Sequence, residues 1–96
     1  MLVPESRKVT LYYASWCKYT KQMWKEWELI KIIIDNTKLT DCNLSYEEID
    51  SELNEDKVKD ANVEGYPTIR FKINDVEFNY DGERTCENIL LGLLTE

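Results

Sequence analysis

The chain has 96 residues, 43% of them hydrophobic and 32% charged, with a formal charge of −7. That length supports one domain, residues 1–96, around a single modest core. With 19 acidic residues against 12 basic ones, no basic face is available for phosphates, so nucleic acid is not an expected partner. No run approaches the roughly 18 apolar residues of a membrane span, and the start, MLVPESRKV, lacks the apolar stretch of a signal peptide. A cytoplasmic, reducing setting is therefore expected. There, three widely spaced cysteines do not read as a disulfide framework. With no histidine and no close cysteine pair, no metal site is expected.

Residues 8–13, KVTLYY, are β-branched and aromatic and predict a strand, with Val9, Leu11 and Tyr13 facing one way and Thr10 and Tyr12 the other. Both faces are fairly apolar, as in a strand covered on both sides. From Lys18 the period changes. Tyr19, Met23, Trp27, Ile30 and Ile34 fall on one stripe, opposite Lys18, Lys21, Lys25, Glu28, Lys31 and Asp35, which predicts a long amphipathic helix.

A short strand is expected at about residues 38–44. After it comes EEIDSELNEDKVKD (residues 47–60), which carries seven acidic residues and two lysines and reads as solvated helix or loop surface. Ser45 and Asn54 are its candidate N-caps. TIRFKI and VEFNY alternate around a turn at Asn74-Asp75 and predict an antiparallel hairpin. A last helix is expected from about Thr85, with Ile89, Leu90, Leu93 and Leu94 as its apolar face. The order is βαβαββα, an open α/β sheet.

Cys17 stands where the first strand gives way to the long helix. Unpaired N–H groups and the positive end of the helix dipole stabilise a thiolate there, and Lys18 and Lys21 add positive charge. Cys17 is thus the candidate nucleophile. Cys42, in a predicted strand, and Cys86, on a helical face with Leu90 and Leu93, read as buried, inert residues. Pro67 follows Gly65-Tyr66 and precedes a strand, where its peptide bond can be trans or cis.

The stretches WCKYTKQMWKEWELI, DCN, VEGYPTIRF and YDGERTCENIL, in this order, resemble the thioredoxin superfamily and, within it, the catalytic domains of protein disulfide isomerases. The likeness runs from Val9 to Leu94. It implies a thioredoxin-like fold of minimal, glutaredoxin-sized form, without the extra N-terminal strand and helix. It also implies that Cys17 attacks, that Trp16 shields it, that Pro67 is a cis-proline facing it, and that the Tyr66 backbone receives a substrate strand. Lys18 and Tyr19, beside Cys17, complete the expected substrate-binding set.

The departures change the chemistry. Thr20 replaces the second cysteine and cannot resolve a mixed disulfide; Tyr19 stands where isomerases often have histidine. Leu11, six residues before Cys17, stands where the family buries an acid that deprotonates that second cysteine. The reading is a monothiol thiol–disulfide oxidoreductase acting on disulfide-containing or glutathionylated proteins. Cys17 and Thr20 form its catalytic pair, and no bound cofactor is expected beyond glutathione as a co-substrate thiol. The alternative is a redox-inactive or trapping module that holds a partner at the cis-proline surface. A third reading, an iron–sulfur cluster shared by two monomers through Cys17 and glutathione, fits less well, because Tyr66 before Pro67 is an isomerase trait.

Overall fold

The computed structural model describes residues 3–96. Strand β1 (Glu5–Tyr13), helix α1 (Lys18–Asp35), strand β2 (Cys42–Asp50), helix α2 (Glu55–Asp60), strands β3 (Thr68–Ile73) and β4 (Val76–Tyr80), and helix α3 (Cys86–Thr95) follow one another. This is the expected βαβαββα order. The sheet runs β2-β1-β3-β4. Strand β1 pairs in parallel with β2, which the crossover through α1 allows, and antiparallel with β3.

The central place of β1 follows from its sequence. Val9 and Leu11 are fully buried on one face, and Thr10 and Tyr12 are nearly so on the other. On the first face they meet Met23, Trp27, Ile30 and Ile34 of α1, Ile69 and Phe71 of β3, and Ile89 and Leu93 of α3 in one core. Gly92 lets α3 come close, since a Cβ there would lie 3.1 Å from the Phe71 ring. At the far end of α3, Arg7 donates to the carbonyls of Leu93 (2.7 Å) and Glu96 (2.9 Å), satisfying acceptors that a helix C-terminus leaves open.

The other face of the sheet is mixed, with Tyr12 and Ile49 buried beside polar groups. Lys8 pairs with Glu47 at 2.6 Å, and Arg70 donates to the Ala61 carbonyl at 2.7 Å with its guanidinium over the Tyr12 ring. Salt links and the stem of Arg70 complete the cover that Tyr12 and Ile49 begin there. Among the described residues no helix is long and apolar enough to cross a membrane.

Four expectations need correction. The second strand is Cys42–Asp50, not 38–44, so Ser45 lies inside a strand and caps nothing. The acidic run begins in that strand, because each of its first two carboxylates has a cationic neighbour. Glu47 has Lys8, and Glu48 accepts from Lys31 at 2.6 Å and from the Trp27 indole at 3.0 Å. Second, Asp41-Cys42, which a strand at 38–44 would carry near its end, stands at the start of β2, and the strand ends at Asp50, where the Ser51 N–H bonds the Tyr13 carbonyl at 2.9 Å. Third, Tyr19 is 52% exposed, and Thr20 takes the buried position at that end of α1. Asn54 does precede α2, but it donates to the Asp50 carbonyl and does not cap the helix through its side chain.

Candidate functional site

Residues 14–17 turn the chain from β1 into α1, and the turn is closed by the Cys17 N–H bonding the Ala14 carbonyl at 3.0 Å. Cys17 keeps an extended backbone (φ −81°, ψ 124°) and is the N-cap residue of α1. Its side chain therefore sits where a serine or aspartate oxygen would accept from the first turn's N–H groups. The neutral thiol makes no such capping bond; a thiolate accepts readily. The backbone N–H of Thr20 does most to hold the Cys17 thiol below its ordinary pKa. Burial works against it, and the N–H of Tyr19, the hydroxyl of Thr20 and the charge of Arg84 add to the lowering.

The neutral thiol lies 3.5 Å from the Tyr66 carbonyl, to which it can donate. The Tyr66–Pro67 peptide bond is cis, and Pro67 is buried where its loop enters β3. The loop is further fixed by the Thr68 hydroxyl, which donates to the Gly65 carbonyl at 2.6 Å. The Trp16 ring is 65% exposed and meets Tyr66 edge-on at 6.3 Å. Lys18 turns outward, its ammonium 5.4 Å from the centre of the Tyr19 ring. Cys17, Trp16, Tyr66 and Pro67 thus come together at one end of the sheet, with Tyr19 and Lys18 at the rim.

Thr20 has an unusual position. It is only 2% exposed, and its hydroxyl makes no hydrogen bond in the thiol form. A buried hydroxyl without a partner is costly, and the Cys17 thiolate is a group that can accept from it and that it stabilises. Leu11 is fully buried in the core, so the region behind the motif holds a hydrocarbon side chain at that position.

Cys86 is buried at the start of α3, and its thiol is pushed up first by burial and then by Glu26 and Glu87. Cys42 is half-buried at the start of β2, where it pairs with Glu5 at the end of β1 opposite Tyr13 and the motif. All three thiols are free.

A groove of about 580 Å³ adjoins Pro67, lined by Tyr19, Gln22, Tyr80, Asp81 and Arg84 among others. Asp81 and Arg84 are not among the expected site residues; the sequence signal for them is their place just before the last helix, whose first turn is tied to α1 at Glu26.

The thioredoxin family profile matches residues 2–94. The chain is 33% identical over 79 residues to protein disulfide-isomerase A4 of Bos taurus, a match that covers 82% of this chain and 12% of that protein. It therefore spans about an eighth of that relative's length. The first thioredoxin domain of mouse protein disulfide-isomerase A4 superimposes with a TM-score of 0.73 at 27% identity, over 92% of this chain and 61% of that one. Human ERp44, at 17% identity over 92% of this chain and 24% of its own, has a TM-score of 0.80 and shares the fold. With its fold, its Cys17 helix start and the profile match in agreement, this chain belongs to the thioredoxin family and is similar to the domains of protein disulfide isomerases.

Proposed function

We propose that the chain is a thiol–disulfide oxidoreductase that works with one thiol. The observation that carries this reading is the Cys17 sulphur at the N-terminus of α1, 3.5 Å from the Tyr66 carbonyl and lowered in pKa by the N–H groups of Thr20 and Tyr19.

The Cys17 thiolate attacks one sulphur of a protein disulfide or of a glutathionylated cysteine. The new S–S bond forms as the old one breaks, and the other sulphur leaves as a thiolate that takes its proton from solvent. Thr20 has no sulphur with which to expel the bound partner, so an external thiol completes the cycle. A glutathione thiolate attacks the partner's sulphur in the mixed disulfide and Cys17 leaves as the thiolate; where that partner is glutathione the product is glutathione disulfide, and where it is a protein the product is a protein–glutathione disulfide that a second cycle reduces. The reducing, cytoplasmic setting expected from the sequence belongs to this reading because it supplies that thiol. Trp16, Lys18, Tyr19, Tyr66 and Pro67 frame the approach of the substrate, whose backbone lies along the Tyr66-Pro67 loop.

The test is turnover of a glutathionylated peptide with excess glutathione. Catalysis by the native chain and its loss in Cys17→Ser support the reading. Stoichiometric capture without turnover would favour the partner-holding module instead, and full activity in Cys17→Ser would remove Cys17 from the mechanism.

A further inference from the structure

The groove beside Pro67 carries charges of both signs. Arg84 is the charge among its lining residues that bears on the Cys17 sulphur. The chain runs through Asp81, Gly82 and Glu83 against the ring of Tyr80, whose hydroxyl donates to the Glu83 carbonyl at 2.6 Å. The Glu83 carboxylate is already occupied by the Asn88 amide at 3.2 Å. The Asp81 carboxylate makes no hydrogen bond or ion pair among the described residues and is exposed at the groove's edge. Both carboxylates, after burial, raise the Tyr80 phenol, which places their field at Tyr80.

The walls suit a long cationic side chain. Tyr19 and Tyr80 give the groove aromatic walls along which an aliphatic stem can lie, although Lys18 already sits over the Tyr19 ring and Tyr80 packs on Phe71, and Gln22 offers an amide. The groove reaches the motif at Tyr19, two residues from Cys17, and the substrate loop at Pro67. A substrate peptide held at the Tyr66-Pro67 loop must therefore place a side chain near this groove.

We infer that the groove bounded by Tyr19, Tyr80 and Asp81 is a specificity subsite that takes a lysine or arginine side chain of the substrate peptide, a few residues from its reactive cysteine. The inference rests on the thiol-exchange reading above. Arg84 orients the peptide, because a basic side chain close to the sulphur meets a like charge, whereas one farther along meets Asp81.

The probes are peptides identical except for one residue, placed in turn two to four positions to either side of a single cysteine: lysine, alanine or glutamate. The cysteine carries a 2-nitro-5-thiobenzoate group. Cys17 attacks the peptide sulphur, the bond to the aromatic sulphur breaks, and the coloured thiolate leaves with the electron pair, so its release gives the rate. At one or more positions lysine should react about three- to fivefold faster than alanine, with glutamate slowest. Raised salt should narrow the spread, and Asp81→Asn should bring the lysine peptide down to the alanine rate. Equal rates at every position, or a lysine preference retained in Asp81→Asn, would overturn the subsite and leave thiol exchange standing. Release no faster than that of Cys17→Ser with any peptide would overturn thiol exchange and the subsite with it.

Discussion

The Glu26 carboxylate, in the middle of α1, accepts a hydrogen bond from the backbone N–H of Cys86 at 3.1 Å, tying the long helix to the first turn of α3. That helix start is capped a second time by the Thr85 hydroxyl, which accepts from the Asn88 N–H at 3.2 Å. Glu26→Ala should lower stability by about 1–2 kcal/mol, through the lost charge-assisted bond and the lost anion at a helix N-terminus. Thr85→Ala should cost about 1 kcal/mol. Urea unfolding of both single variants and the double variant measures this. Because both groups serve one helix end, the losses should not add.

Thr20→Val separates two roles of the threonine. Removing a buried hydroxyl that has no partner in the thiol form should stabilise the fold by about 1 kcal/mol at pH 6. The same change removes a donor to the thiolate, so Cys17 alkylation by iodoacetamide should titrate at higher pH than in the native chain. Measuring stability and alkylation rate together is decisive: a variant that is less stable with unchanged reactivity would remove both roles.

For Cys17 the direction of linkage is fixed by its lowered pKa. The thiolate's contribution to stability is full above the unfolded thiol's pKa, about 8.5, and is lost as pH falls through the lower folded value. Stability of the native chain relative to Cys17→Ser should therefore rise from pH 6 to pH 9. Denaturant midpoints at several pH values show the trend. Mass mapping after alkylation at pH 7 should find Cys17 modified well before Cys86, whose thiol is pushed up by burial.

Glu48 offers a complementary dependence in acid. Burial pushes its carboxyl up, but the hydrogen bonds from Lys31 and Trp27 outweigh that and hold it below the usual carboxylate range. Its contribution is full above the ordinary glutamate value, about 4.3, and is lost as pH falls through the lowered folded value. Glu48→Ala leaves the fully buried Trp27 without its indole partner and should cost about 1–3 kcal/mol at pH 7. Glu48→Gln keeps an acceptor for the indole and should cost less. The gap between native chain and Glu48→Gln should shrink between pH 5 and pH 3, as read by tryptophan fluorescence during urea unfolding.

At Gly82 a side chain has no room. A Cβ there would lie 2.5 Å from the Tyr80 hydroxyl oxygen and 2.7 Å from its Cζ. Gly82→Ala should displace a ring that packs 5.3 Å from Phe71 and lower the melting midpoint by the equivalent of about 1–3 kcal/mol. A thermal scan against the native chain tests it, and an unchanged midpoint would show that Tyr80 moves aside freely.

The hairpin was legible to the residue, because Ile69 and Phe71 alternate with polar positions and Asn74 takes the positive φ of 53° that its turn requires. The stripe Met23, Trp27, Ile30 and Ile34 was equally plain. Strand β2 was not, since Glu47, Glu48 and Asp50 are poor strand formers and their partners, Lys8 and Lys31, lie far away in sequence. Tertiary ion pairs leave no local pattern. At the site, Cys17 and Pro67 stood out by kind and position. The partnerless state of the Thr20 hydroxyl and the groove formed with Asp81 and Arg84 depend on packing between elements that no local spacing encodes.

Strand β2 lies at the margin of the sheet, bonded to β1 along nine residues and to no strand on its other side among the described residues. Such a margin invites another chain to add itself, the first step of strand-on-strand aggregation. Here the invitation is withheld by charge. Two copies meeting margin to margin in antiparallel fashion, with Glu47 against Glu48, would crowd four carboxylates into a small space, and Asp50 would bring two more to the ends of the contact. Lys8 and Lys31 offset two of the three carboxylates within each copy, and Asp50, without an ion pair among the described residues, leaves each margin net negative, so the strand is a poor template for its own kind.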